Sequence, residues 1–207
     1  MSEGAANHRM KANPFIVRTC PGKPGHASHA KLDRKIELYS PSIKFNQQIT
    51  RYKMNLPLPE ADSATAAEVR EWLDRFAICV REVDYAAARS FWHPDIVIFG
   101  TYQELVKSLS AWTERQWDNV WPRTAEFRFD LANTMVMAAP DGAIAIAIAP
   151  WTSTGFHEDG MAFDRPGRAT IVLARQPDGR WLGVHSHMSL ARGVPQDSHG
   201  KRAVKAR

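Results

Sequence analysis

Apolar positions recur along residues 62–191 with two different periods, and the change of period divides the chain. Val69, Leu73, Phe76, Val80 and Val83 follow one another at intervals of four, three, four and three, the spacing of one helical face. Trp72 and Cys79 widen that stripe. Thr65 and Glu68 stand at capping-box spacing, so a first helix is expected to start near Asp62 or Thr65. Ala86, Ala87 and Ala88 favour a second, short helix from Asp84 to Phe91, broken by His93-Pro94. Ile96–Phe99 is a short β-branched strand that Gly100 ends, and Leu105, Leu109 and Trp112 predict a third helix over Gln103–Gln116.

From about residue 124 the period falls to two. Glu126–Ala138 reads as one strand, turned by Pro140-Asp141-Gly142. In the next, Ala143–Trp151, Ile144, Ile146 and Ile148 point one way and Ala143, Ala145 and Ala147 the other. A loop around Glu158-Asp159-Gly160 follows, then strands Gly167–Gln176 and Arg180–Leu190 joined by Pro177-Asp178-Gly179. Helices first and an antiparallel meander afterwards make an α+β domain, with helices on one face of a curved sheet.

The last hairpin gives the first candidate chemistry. Asp178-Gly179 is a two-residue type I′ loop signal, which sets Pro177 opposite Arg180. Val172 then pairs with His185, Thr170 with His187 and Arg168 with Ser189, all six on one face with Trp181 and Gly183. Two readings stay open. The face lines a cavity, and His185, His187 and Arg168 are donors or proton carriers there. Or it meets a partner subunit or forms the sheet rim, and they are satisfied polar groups.

Charge is divided unevenly. The net charge is +5, yet residues 54–191 hold twelve Lys/Arg against eighteen Asp/Glu. Residues 1–53 hold ten against three, and residues 192–207 five against one. The basic character belongs to the ends, so a nucleic-acid-binding face is not expected on the folded body. Residues 1–53 contain none of the seven tryptophans, and their apolar residues keep no period. Residues 1–61 are therefore read as a largely disordered basic extension, 62–191 as the domain and 192–207 as a basic tail. Met54 is an alternative start, and a transit peptide a third reading that Asp33 and Glu37 disfavour. Two cysteines, no secretory leader and no long apolar run point to a cytoplasmic protein that does not enter the membrane.

The string Gly167–Leu190, with Arg168-x-Thr170, Gly179-Arg180-Trp181 and His185-x-His187-x-Ser189, resembles the closing hairpin of SnoaL-like domains. Those belong to the nuclear transport factor 2-like, or ketosteroid isomerase-like, superfamily. Phe91–Gly100 resembles the segment between second helix and first strand of the same superfamily. The resemblance covers residues 62–191. It implies a cone-shaped domain with three N-terminal helices on a curved antiparallel sheet, a pocket between the two, a homodimer through the sheet, and no metal or organic cofactor. It does not imply an activity, because such domains include cyclases, isomerases, dehydratases, epoxide hydrolases and silent modules. The steroid-isomerase carboxylate would fall at Ile98-Phe99-Gly100, and its tyrosine at Phe76; neither polar group is present. Asp130 with Arg128 is the nearest match to the epoxide-hydrolase pair.

Five tryptophans fall between residues 92 and 151. Phe76, Phe99, Tyr102, Trp117, Trp121, Trp151 and Thr170 are the candidate pocket lining, for an apolar or aromatic small molecule. His157-Glu158-Asp159 reads as solvated loop charge rather than a metal site. Two functions follow: a ligand-binding module, favoured by the missing acid–base pairs, or a cofactor-free isomerase, cyclase or dehydratase acting on a small apolar carbonyl compound. In the second, His187 or His185 would be the base, and Arg168 or an indole N–H would steady the enolate. A third, an adaptor, requires an exposed tryptophan-rich surface.

Overall fold

Helix α1 covers Ser63–Glu82 and is started by Asp62, whose carboxylate accepts from the Ala64 and Thr65 amides at 3.0 and 2.9 Å. This is a simple aspartate cap rather than the expected Thr65–Glu68 box. Glu68 is engaged elsewhere, accepting from Arg175 at 2.6 Å and from the Trp181 indole at 2.9 Å. The computed structural model describes residues 58–207 apart from Gln103. The disorder expected upstream, and the Met54 question, lie outside those residues. Pro59–Ala61, assigned above to the extension, pair with the strand at Val136–Ala138 and belong to the fold. No described helix is long and apolar enough to cross a membrane.

The α1 stripe is buried as its period requires: Val69 and Leu73 are 0% exposed, and Phe76, Val80 and Val83 are buried with them. Leu73→Ala should lower unfolding stability by about 2–5 kcal/mol, read from urea denaturation, because it removes fully buried methyl groups from the core. Helix α2 is Tyr85–Arg89, capped by Asp84. Strand β1 runs Trp92–Phe99, and a break in its pairing between Trp92 and Val97 accommodates Pro94.

The expected third helix is shorter at its start and irregular beyond it. Leu105–Lys107 form strand β2 against β1, because Val106 alternates inward between exposed neighbours. Helix α3 is Leu109–Trp112, capped by Ser108, and runs into a π turn at Thr113–Trp117, helix α4 at Asp118–Val120 and a 3-10 turn at Trp121–Arg123.

Strands β3 (Ala125–Phe129) and β4 (Met135–Ala138) replace the single strand expected at 126–138. The Asp130–Thr134 turn divides them, held by Asp130, which accepts from the Asn133 side chain at 2.7 Å. Both lie along the long β5, Ile144–Phe156. Strand β6 is Ala162–Asp164, β7 is Gly167–Arg175 and β8 is Trp181–Leu190. The order β2-β1-β8-β7-β5-β3 is antiparallel except for β1–β8, which is parallel. The sheet is therefore mixed rather than a pure meander.

Two faces result. Ala145, Ala147, Ala149 and Trp151 of β5 are buried on the core side, where α1 packs on β3 and β4. The isoleucines of β5 point the other way, with Ile144 37% and Ile148 43% exposed. Two cross-strand rows form on that open face. One is Met135–Ile148–Thr170–His187–Phe99–Leu105, the other Met137–Ile146–Val172–His185–Val97–Lys107.

Candidate functional site

The hairpin register expected for His185, His187 and Ser189 is the observed one, although the turn differs. Val172, Thr170 and Arg168 lie opposite those three. Yet the loop has three residues, Pro177–Gly179, closed by the Gln176 amide on the Arg180 carbonyl at 2.8 Å, with Gly179 at φ 85. Nearer the turn the register is one residue off, with Leu173 opposite Gly183, and a bulge between Val172 and Leu173 restores it. The bulge also splits the faces. Trp181 and Gly183 point to the core instead of lying beside the histidines.

The histidine face is the open one. His185 Nδ1 lies 2.7 Å from the Val97 carbonyl oxygen, and Phe99 packs its ring 5.5 Å from that of His187. Arg168 donates to Ser189 Oγ at 3.1 Å on the same face. None of His185, His187, Arg168, Thr170 or Phe99 lines the cavity under the helices. The three residues read from the sequence as candidate donors or proton carriers thereby lie outside it, because β8 turns its even residues, Ser186 and Met188, toward the helices after the bulge. Asp130 lies beyond the end of β3 in its turn, so it forms no inward pair with Arg128.

The cavity itself sits between α1, the π turn and the sheet. Phe76, Trp117, Trp121 and Trp151 of the expected lining do border it, together with Trp112, Gln116, Phe127 and Met188. Trp117 and Trp121, four residues apart, stack at 4.3 Å, and Trp112 meets Trp117 edge-on at 4.9 Å. The π turn brings Gln116 and Trp117 into the core together, at 5% and 0% exposure, a helix irregularity common at functional sites. Gln116 fits because residue 100 is glycine; a Cβ there would lie 1.6 Å from its Oε1.

The cavity lining also includes Arg165. It follows β6, and its backbone exchanges hydrogen bonds with Ser153 of β5 at 2.8 and 3.1 Å. That pairing turns both side chains to the core, and Arg165 is 3% exposed. Its guanidinium lies over the Trp151 ring at 5.8 Å and reaches Thr101 Oγ1 only at 3.5 Å. Its Nε has no partner among the described residues, and no carboxylate there lies within 4.0 Å of it. Burial pushes its pKa down to about 10, so it is still a cation at neutral pH. The Trp112, Trp117 and Trp151 indole N–H groups are likewise buried without partners, against one acceptor, Gln116 Oε1. Among the described residues, Arg165 is the one charged side chain lining the cavity.

Over residues 69–193 the sequence matches the model of the SnoaL-like domain. The chain belongs to that family. Solved structures agree on the fold. A nuclear transport factor 2-like protein from Salmonella enterica serovar Typhimurium superposes with a TM-score of 0.55 at 21% identity, covering 65% of this chain and 96% of that one. A ketosteroid isomerase-like protein from Erwinia carotovora gives 0.53 at 12% identity, over 64% and 99%. The CaMKII hub of S. rosetta gives 0.50 at 20%, over 65% and 100%. No curated protein matches the chain closely enough to serve as a relative.

Within this SnoaL-like domain, Tyr102 is 42% exposed and borders a separate slot with Arg165, Asp197 and Ser198. His157 and Asp159 shape their turn: His157 packs its ring tilted against Phe163 at 4.6 Å, and Asp159 accepts from the Met161 amide at 2.9 Å. All seven tryptophans are buried, which removes the surface that an adaptor would need.

Proposed function

We propose that this SnoaL-like domain binds a small aromatic compound bearing a carboxylate or similar anionic group, seated on Arg165. The observation that carries the reading is a nearly fully buried guanidinium with no carboxylate within 4.0 Å among the described residues, in an aromatic cavity whose other unpartnered groups are mostly donors. Buried donors without acceptors are costly, and a buried cation more so. A ligand anion would satisfy both, while the indole faces would take an aromatic ring. A histidine base is not part of this reading, since no imidazole or carboxylate among the described residues lines the cavity.

Calorimetric titration with benzoate and its neutral isostere benzamide tests it. Benzoate is expected to bind, at an affinity unchanged between about pH 6 and 9 because the guanidinium stays charged; benzamide is expected to bind at least about tenfold more weakly. Equal binding of the two would remove the anion from the account.

The open face supports a second proposal, a homodimer through the sheet. Met135, Ile144, Ile148, Val97, Phe99 and Leu105 are all more than a third exposed there, more contiguous apolar surface than isolated exposed side chains. In that assembly, His185, His187 and Thr170 are interface groups rather than catalytic ones.

A further inference from the structure

The segment after β8, read from the sequence as a basic tail, returns across the domain. Ser198 is buried; its Oγ accepts from the Phe156 amide at 3.0 Å and donates to the Arg123 carbonyl. The Gly200 amide donates to the same carbonyl at 3.1 Å, and the Arg202 amide to Pro122 at 2.8 Å. The Arg202 guanidinium donates to the Arg81 and Trp121 carbonyls, the latter at 2.8 Å. Lys205 pairs with Glu82, and Arg207 with Asp118 at 3.0 Å. The strap therefore ties the end of α1, the 3-10 turn and β5 together, and all three supply walls of the cavity.

Under the strap is the second, narrow slot. Gln196, Asp197 and Ser198 form its outer side, and Arg165, Val120 and Thr124 form the partition it shares with the aromatic cavity. Arg165 is thus reached from two sides. The cavity in this closed arrangement has a volume of ≈ 30 Å³, room for about two waters and not for an aromatic ring. Asp197 is the acidic group whose charge favours the Arg165 cation, although it is exposed and more than 4.0 Å away.

We propose that residues 196–207 are a removable cover over the anion site, with Asp197 as the resident counter-charge that an incoming ligand anion replaces. This rests on the reading of Arg165 given above. Ligand admission to Arg165 through the slot then requires the strap to lift. A cover that opens only a few per cent of the time lowers apparent affinity by that fraction.

The test uses the full chain, with benzoate as probe and tryptophan fluorescence in a stopped-flow instrument. In Gly200→Val, a Cβ would lie 2.6 Å from the Arg123 carbonyl oxygen and 2.8 Å from a Phe156 ring carbon, so the strap cannot seat. That variant is expected to bind benzoate about tenfold faster and tighter than the parent. Asp197→Asn alters an exposed side chain and leaves the fold intact; it is expected to bind up to about fivefold tighter at low salt. Arg165→Met in the same series reports on the site itself. Equal rates and affinities in the parent and both strap variants, with binding still lost in Arg165→Met, would overturn the cover and leave the site standing. Binding that ignores Arg165→Met would overturn the site, and the cover with it.

Discussion

Arg165→Met is expected to abolish benzoate binding and to raise the unfolding temperature in the same protein. The two effects have opposite signs for one physical reason. Arg165 is 3% exposed, with Nε unpartnered and no carboxylate within salt-bridge distance among the described residues. The free protein therefore bears the desolvation of a cation without the pairing that offsets it. Methionine fills similar volume with apolar atoms, and such replacements of buried charge are neutral or stabilising by up to about 4 kcal/mol. Binding moves the other way. Removing one partner of a buried charged contact costs about 2–5 kcal/mol, which is roughly 30-fold or more in affinity. Thermal unfolding and calorimetry on one preparation read both. An arginine kept for structure alone would lower the unfolding temperature when replaced. Arg165→Lys separates charge from shape: it keeps the cation but not the planar fork, so benzoate should bind with intermediate affinity.

Ile146→Asp is expected to convert the protein to a monomer without unfolding it. Ile146 stands in the middle of the open face, between Met137 of β4 and Val172 of β7. It is only half-buried in the single chain, so an aspartate there can reach water when the chain is alone. In a two-fold assembly through this face, each copy would bury a carboxylate against apolar side chains. A buried unpaired charge costs several kcal/mol, and the symmetry doubles it. Light scattering should give twice 23.3 kDa for the parent and 23.3 kDa for the variant, with matching circular dichroism. A variant that keeps the doubled mass would show that the copies meet elsewhere.

The period of apolar residues was enough to locate α1, the long β5 and the last hairpin, because those patterns are decided by burial along a single element. It misread Gln103–Gln116, since Leu105, Leu109 and Trp112 fit a helix while Leu105–Lys107 pair with β1. A three-residue strand is decided by its neighbour, which a local pattern does not contain. The last hairpin shows two departures that cancel. A three-residue loop shifts the pairing by one, and the bulge shifts it back, so His185 and His187 meet their expected partners while Trp181 faces the core. Which sheet face the helices cover was not legible. The bulky Ile144, Ile146 and Ile148 suggested no preference, and it is the small alanines between them that are buried.

Arg165 escaped the sequence reading although its signal was present. The turn around Glu158-Asp159-Gly160 reads as a loop, and its hairpin pairing carries the signal. His157 opposite Met161, then Thr154 opposite Asp164, leads to Ser153 opposite Arg165. Ser153 shares the inward face of Trp151 on β5, so the arginine had to enter the core. The strap was missed for a different reason: a short basic segment is held there by backbone and capping contacts that leave no period in the sequence.

A crystal structure of the full chain grown with benzoate addresses the central claim most directly. The expected result is a carboxylate within hydrogen-bonding distance of the Arg165 guanidinium, its ring among Trp117, Trp121 and Trp151. Benzoate found against His185 and His187 on the open face, with the Arg165 cavity unchanged, would contradict it.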